Sequence, residues 1–188
     1  YATGNVSIVI WAGGLTAWSN GMVSNSYATG NVTGTVGYVG GLMGENKGTL
    51  NNSYATGSVV GPYRVGGLVG YVYTAGGTVN STISNSYATG NVISTTGTAG
   101  WLVGYNEGSI SNSYATGSVS GTASIGGLVG FSSGATTNSF WNTTTSGKSA
   151  SAGGTGLTTP QMTQLSNFTS WNTATPNTIA NTGGSGAT

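Results

Sequence analysis

Residues 100–119 read GWLVGYNEGSISNSYATGSV, and most of the chain is built from variants of this stretch. The tetrapeptide Tyr-Ala-Thr-Gly inside it begins at Tyr1, Tyr27, Tyr54, Tyr87 and Tyr114, and a degenerate aromatic copy, Ser139-Phe140-Trp141-Asn142, follows. Taking Phe140 as the sixth marker, the intervals are 26, 27, 33, 27 and 26 residues. A second marker, Leu15, Leu42, Leu68, Leu102 and Leu128, follows each Tyr by 14 or 15 positions. From that Leu to the next aromatic is 12 residues in four blocks and 19 in the third, which places an insertion around Tyr71–Ser81. Self-similarity at this period is the mark of a repeat array.

Composition narrows what the repeat can be. Only five of 188 residues are charged, Glu45, Lys47, Arg64, Glu107 and Lys148, against roughly a quarter in an ordinary globular domain. Gly, Ser, Thr and Asn fill the space between regularly placed Leu, Val and Tyr, and forcing so much Gly into helix would cost about 1 kcal/mol each relative to Ala. A flexible linker gives no reason to place apolar residues at matched offsets. Stacked coils do, because each coil needs an apolar residue at the same point. Extended segments are expected around Ser113–Val119, Ile125–Phe131 and Ser109–Asn112, with turns at Asn106-Glu107-Gly108 and Gly121-Thr122. The expected fold is all-β: a parallel β-solenoid of about five coils of ~26–27 residues, with a short helical or loop cap at the C-terminal end.

Stacking turns equivalent positions into ladders. Leu15, Leu42, Leu68, Leu102 and Leu128 form one expected core column, and Val6, Val32, Val59, Val92 and Val119 another. Side chains alternate along a strand. With Val119 inward, Gly117, Ala115 and Ser113 point inward too, and the residues between them point out. The expected outer ladder is therefore Tyr27, Tyr54, Tyr87 and Tyr114 with Thr29, Thr56, Thr89 and Thr116. A kink at Gly117 would reverse this. The paired glycines before each Leu read as close backbone approach at a corner. They lack the spacing and the following helix of a phosphate-cradling loop.

Residues 1–141 are assigned to the solenoid. The chain opens inside a repeat, so an export signal or earlier coils are expected to lie outside it. After Trp141 the pattern dissolves into a cap, 142–176. Within it a short helix is expected near 160–168, with Thr159 as N-cap, Pro160 in the first turn, and Met162, Leu165 and Phe168 on one face. Residues 177–188 read as a flexible tail or linker.

The pattern GGLVGxNxGxIxNSYATGxVxG resembles the GLUG repeat, most closely at Gly66–Gly70 with Asn85–Val92 and at Gly100–Val119. Leu102, Asn106, Ile110 and Tyr114 occupy the corresponding places. GLUG repeats occur in large bacterial surface and secreted proteins, including filamentous-haemagglutinin-like exoproteins and some immunoglobulin A peptidases. The resemblance implies an exported stalk or adhesin segment, secreted or on the cell surface, and carries over no catalytic residue. The tail with Phe140-Trp141 is similar to the segment that follows such repeats.

The side-chain inventory restricts chemistry further. The chain has no His, Cys or Asp, so neither a Ser-His-Asp triad nor a Cys nucleophile can be assembled. No metal ligand set and no cofactor are expected. Glu45 and Glu107 lie two repeats apart, too far for a glycosidase pair, and Lys47 and Lys148 read as solvated surface groups. The expectation is a non-enzyme. A net charge of +1 gives no electrostatic support to nucleic-acid binding. No run of about 20 apolar residues suggests membrane insertion. What remains is a structural module of an adhesin or self-assembling fibre, whose partner is another copy of itself. The alternative is an adhesin face that binds host or matrix glycans through the Tyr/Thr ladder. An ice-binding Thr face ranks behind both.

Overall fold

The computed structural model describes residues 1–74, 81–168 and 171, and over them the chain winds into parallel coils. Five parallel sheets run along the axis, and each coil from Tyr27 to Thr137 places one strand in each sheet, while the first coil joins the Tyr-Ala sheet only through an Ala2–Ala28 bridge. The first contains Tyr27–Ala28, Tyr54–Ala55, Tyr87–Ala88, Tyr114–Ala115, Phe140–Asn142 and Thr155–Leu157. The second is the Val sheet, Val6–Ile8 through Val119–Gly121, and the third runs from Ala12–Gly13 to Ile125–Gly126. The fourth runs from Thr16–Ser19 to Val129–Ser132, and the fifth from Met22–Ser24 to Ala135–Thr137.

Each coil from Tyr27 to Thr137 thus has five strands where the sequence suggested three. Ser113–Val119 is two strands separated by Thr116-Gly117-Ser118, and Ile125–Phe131 is divided at Gly127-Leu128. The division is steric. A Cβ on Gly57 or Gly90 would stand 1.9 Å from the carbonyl oxygen of the glycine one coil below, so the corner stacks only as bare backbone. At the paired-glycine corner a Cβ on Gly40 would meet Met43 O at 2.0 Å and one on Gly41 would meet Gly67 O at 2.1 Å. These are the close approaches expected there. The bend at Gly117 leaves the face assignment intact, since Ala115 and Val119 are both buried.

Register is strict. Val6 pairs with Val32, Val32 with Val59, Val59 with Val92, and Val92 with Val119. The Leu column is tied by its own backbone: Leu15, Leu42, Leu68 and Leu102 each donate an N–H to the carbonyl of the next Leu at 2.9–3.0 Å. Leu42, Leu68, Leu102 and Leu128 are fully buried, as are Val32, Val59 and Val92, and Val119 nearly so. Leu15 and Val6 are half-buried because they belong to the first coil, with no coil beneath them. Ile83, Leu50 and Ile110 from the fifth sheet and the Ala column complete the core.

A polar ladder runs beside it. The buried Ser before each Tyr accepts an N–H from the equivalent Ser one coil below, Ser26 to Ser53, Ser53 to Ser86, Ser86 to Ser113 and Ser113 to Ser139, at 3.1–3.2 Å. Each hydroxyl donates in turn to the carbonyl two residues earlier. The preceding Asn25, Asn52, Asn85, Asn112 and Asn138 all have φ of +46° to +49°, the left-handed region that Asn tolerates. Positive φ therefore falls on the Asn of Asn-Ser-Tyr, rather than at the Asn106-Glu107-Gly108 turn anticipated from sequence. Asn106 instead keeps its side chain buried, accepting Gly108 N–H and donating to Gly108 O and Ser132 Oγ.

The last coil is covered by residues that imitate the next one. Ser151 Oγ accepts the N–H groups of Leu128 and Val129 at 3.1 and 2.9 Å, and Gly127 N–H reaches Ala150 O at 3.0 Å. The Ala column ends in Trp141, whose indole lies against Gly127 and closes the interior. A helical turn, Thr143–Ser146, is capped by Asn142 Oδ1, and Thr155–Leu157 adds a strand to the Tyr-Ala sheet. The second helix is shorter than expected and begins one residue earlier: its N-cap is Thr158, held by Gln161 Oε1 at 2.8 Å, the helix is Thr159–Met162, and Leu165–Phe168 is 3-10. Phe168 packs on Phe140 edge to face at 4.9 Å, whereas Leu165 is 75% exposed and takes no part in the cover. Most of the insertion, 75–80, and the tail, 177–188, lie outside the described residues. The base of the insertion is joined by a hydrogen bond from the Ser81 hydroxyl to Tyr73 O.

Candidate functional site

Two outer faces carry aromatic side chains, and they differ in kind. On the Tyr-Ala sheet, Ala28, Ala55, Ala88 and Ala115 are buried, so the preceding tyrosines lie on the opposite side of the strand, where Tyr27, Tyr54 and Tyr114 are half-buried and Tyr87, expected on the surface, is buried. Tyr1, Tyr27, Tyr54, Tyr87 and Tyr114 form one stack, with centroids 4.8–5.1 Å apart and planes within 4–11° of parallel. Trp171 tilts over Tyr114 at 6.2 Å and continues the row. Each ring from Tyr27 to Tyr114 therefore has an aromatic neighbour on both faces. Burial pushes the Tyr114 phenol up to about 12. Tyr87 and Tyr54 are raised in the same direction by burial and by the neighbouring tyrosines. Thr29 and Thr56 beside the stack are exposed, Thr89 and Thr116 half-buried, and their backbones pair with the Ala column one coil below.

The second face lies over the third and fourth sheets. Three residues after each Leu stand Trp18, Glu45, Tyr71, Tyr105 and Phe131, paired coil to coil in one row. Four residues before each Leu a parallel row contains Trp11, Tyr38, Arg64 and Thr98, in which Trp11 stacks on Tyr38 at 6.0 Å and Tyr38 on Tyr63 at 6.2 Å. Arg64 sits between the rows. Its guanidinium carbon is 4.0 Å from the Tyr71 centroid, 4.1 Å from Tyr105, 5.0 Å from Tyr38 and 5.3 Å from Tyr63.

The other charges gather around it. Glu45, almost wholly buried, forms an ion pair with Lys47 at 3.2 Å, and Lys47 lies over Trp18 and Tyr73. Glu107 Oε2 accepts Thr74 N–H at 3.3 Å, and its carboxylate lies close enough to Tyr71 to act on the phenol. Burial first, and this carboxylate second, hold the Tyr71 phenol well above its ordinary value, with Arg64 working in the opposite direction. Four of the five charged residues in the chain thus share one face. Among the described residues no three His, Cys, Asp or Glu side chains gather as a metal cluster.

This second face escaped the sequence reading. Its signal was available in the aromatic residue three places after Leu in four of five coils, but Arg64 reaches Tyr71 and Tyr105 only after coils of unequal length are brought into register.

Residues 61–93 and 96–120 match the model of the GLUG motif. This part of the chain is a GLUG-repeat region. No match was found among curated proteins or among solved structures. In structural terms the GLUG motif supplies one corner of each kind: the glycines before Leu68 and the Gly117 bend stack as backbone, Asn106 is the buried corner amide, and the Asn-Ser of Asn-Ser-Tyr supplies the left-handed turn and the serine ladder. The GLUG positions thus explain the solenoid, while Arg64 and the aromatic rows of the second face vary from coil to coil.

Proposed function

We propose that this chain is a non-catalytic structural module of a bacterial surface adhesin or extracellular fibre, a rod that spaces or stacks other parts. The observation that carries the reading is the unbroken set of coil-to-coil ladders, in which nearly every motif residue is engaged in stacking. Leu, Val, Ala and Ser columns face inward and the corner glycines admit only backbone, so the motif is used up by architecture. The side-chain inventory supports the absence of catalysis: there is no imidazole, thiol or aspartate, Glu45 is ion-paired, and Glu107 accepts the Thr74 N–H. The resemblance to repeats of exported bacterial proteins supports a secreted or cell-surface setting.

Electron microscopy of the purified chain across a concentration series tests this reading. Uniform rods, or filaments whose axial repeat is the coil spacing, are expected; shapeless or compact particles would refute it. The glycan reading of the Tyr ladder gains nothing from the geometry. The ring faces that would stack on sugars are already stacked on one another, and Tyr54→Ala or Tyr87→Ala is expected to loosen the coils rather than to abolish binding.

A further inference from the structure

We propose that Arg64, with the aromatic rows on either side of it, is a binding site for a carboxylate-bearing glycan, a short chain of pyranose rings with acid groups. This goes beyond the structural role and does not depend on it, since a rod can carry a ligand on its side.

The first argument is the state of the cation. Among the described residues the one ion pair is Lys47 with Glu45, so Arg64 has no carboxylate, Glu107 included, within ion-pair distance. Arg64 is held instead by ring quadrupoles, which fix its position without neutralising it. A guanidinium has five N–H donors, and its planar fork matches a carboxylate. In a chain with three basic side chains, one placed in this way is a specific feature of the surface.

The second argument is what flanks it. Trp11, Trp18, Tyr63 and Phe131 are 37%, 47%, 52% and 42% exposed, and among the described residues Trp11, Tyr63 and Phe131 each stack on one ring, unlike the tyrosines covered on both faces, so the rows offer aromatic surface on both sides of Arg64. The C–H faces of a pyranose carry slight positive charge and settle on the negative face of such rings. From Trp18 to Phe131 the row spans four coil steps, about 19 Å at the spacing of paired strands, and several linked sugars can lie along it.

The third argument is exclusion. Nucleic acid needs several phosphate contacts, and only one guanidinium is available here. An acidic peptide would bind best by adding a strand, but the strands Arg64–Gly66 and Val69–Val72 are already paired on both sides. A ligand on this face must therefore be recognised by its charge and ring faces.

Isothermal titration of the whole chain with an oligogalacturonate, with the neutral oligosaccharide obtained by reducing its carboxyl groups, and with oligoglutamate decides the matter. The oligogalacturonate is expected to bind, more weakly as salt is raised, and at least tenfold more tightly than its neutral counterpart, as one charge-assisted contact warrants. Arg64→Gln should erase that preference, while Arg64→Lys should retain part of it. Phe131→Ala, outside the guanidinium contacts, should weaken both sugars and leave the ratio between them. Circular dichroism confirms that the coils of each variant persist. If Arg64→Gln does not fold, the ratio in the native chain, its salt dependence and Phe131→Ala still give the answer. Equal affinity for the neutral sugar, oligoglutamate binding as tightly, no binding at all, or a preference unchanged in Arg64→Gln would each overturn the proposal. None of these outcomes alters the rods or filaments expected of the structural module.

Discussion

At the scale of the residue, the most demanding positions are those that repeat without variation. Asn112 holds φ +47° and its Nδ2 contacts Asn85 Oδ1 at 3.4 Å. Asn112→Ala should cost about 1–2 kcal/mol, the penalty of the left-handed region for a residue with a plain Cβ, and Asn112→Gly should cost less. Urea unfolding of both variants checks the order. Ser86→Ala leaves the buried N–H of Ser53 without its acceptor and is expected to cost about 1–3 kcal/mol. Titration acts at this scale too. The Tyr114 phenol is raised to about 12 from an unfolded value of 10.0, so above pH 10 the unfolded chain loses its proton first. Stability should be flat below that pH and fall as pH rises through the folded value. Alkaline unfolding followed together with phenolate absorbance should show this loss, and Tyr114→Phe should diminish it. The Leu, Val and Tyr markers were legible in the sequence because a fixed period in a chain of strands has one structural meaning. The Asn was visible in every repeat, but its role was not, because sequence alone ranks glycine-containing turns first.

At the scale of the element, parallel stacking was readable and the number of strands was not. A two-residue strand such as Tyr114–Ala115 pairs with its copies above and below, so it exists only in the stack and leaves little local signature. The cap was readable in part: Pro160 marked the helix, but nothing local indicated that Ser151 would stand in for a missing strand. Ser151→Ala should therefore speed amide exchange at Leu128 and Val129 while leaving Leu68 and Leu102 protected, a difference that hydrogen exchange with residue resolution can read.

At the scale of the molecule, each coil touches its neighbours, so stability is close to a sum of coil and interface contributions. Leu68→Ala, in the middle and fully buried, should cost about 2–5 kcal/mol. Leu15→Ala, half-buried in the first coil, should cost markedly less, and thermal unfolding of the two compares them directly. The rods and the acid-sugar site belong to this scale as well. The site was illegible in the sequence because Arg64, Tyr38, Tyr71 and Tyr105 come from three successive coils, and the insertion after Tyr73 shifts their spacing.

Trp101 replaces the second corner glycine in one coil only, is fully buried, and donates its indole N–H to Gly90 O at 2.8 Å across the interior. Nearly identical coils invite a mistake during folding, in which one coil takes its neighbour's place and every ladder still forms one step out of line. An indole cannot move in this way. At the corners of Gly41 or Gly67 the backbone of the next coil fills the space, and Gly117 leaves room for the ring in the place where it is found. A single unlike residue thus numbers the coils, and Trp101→Gly is expected to leave the fold intact while allowing slipped, slowly interconverting forms on refolding.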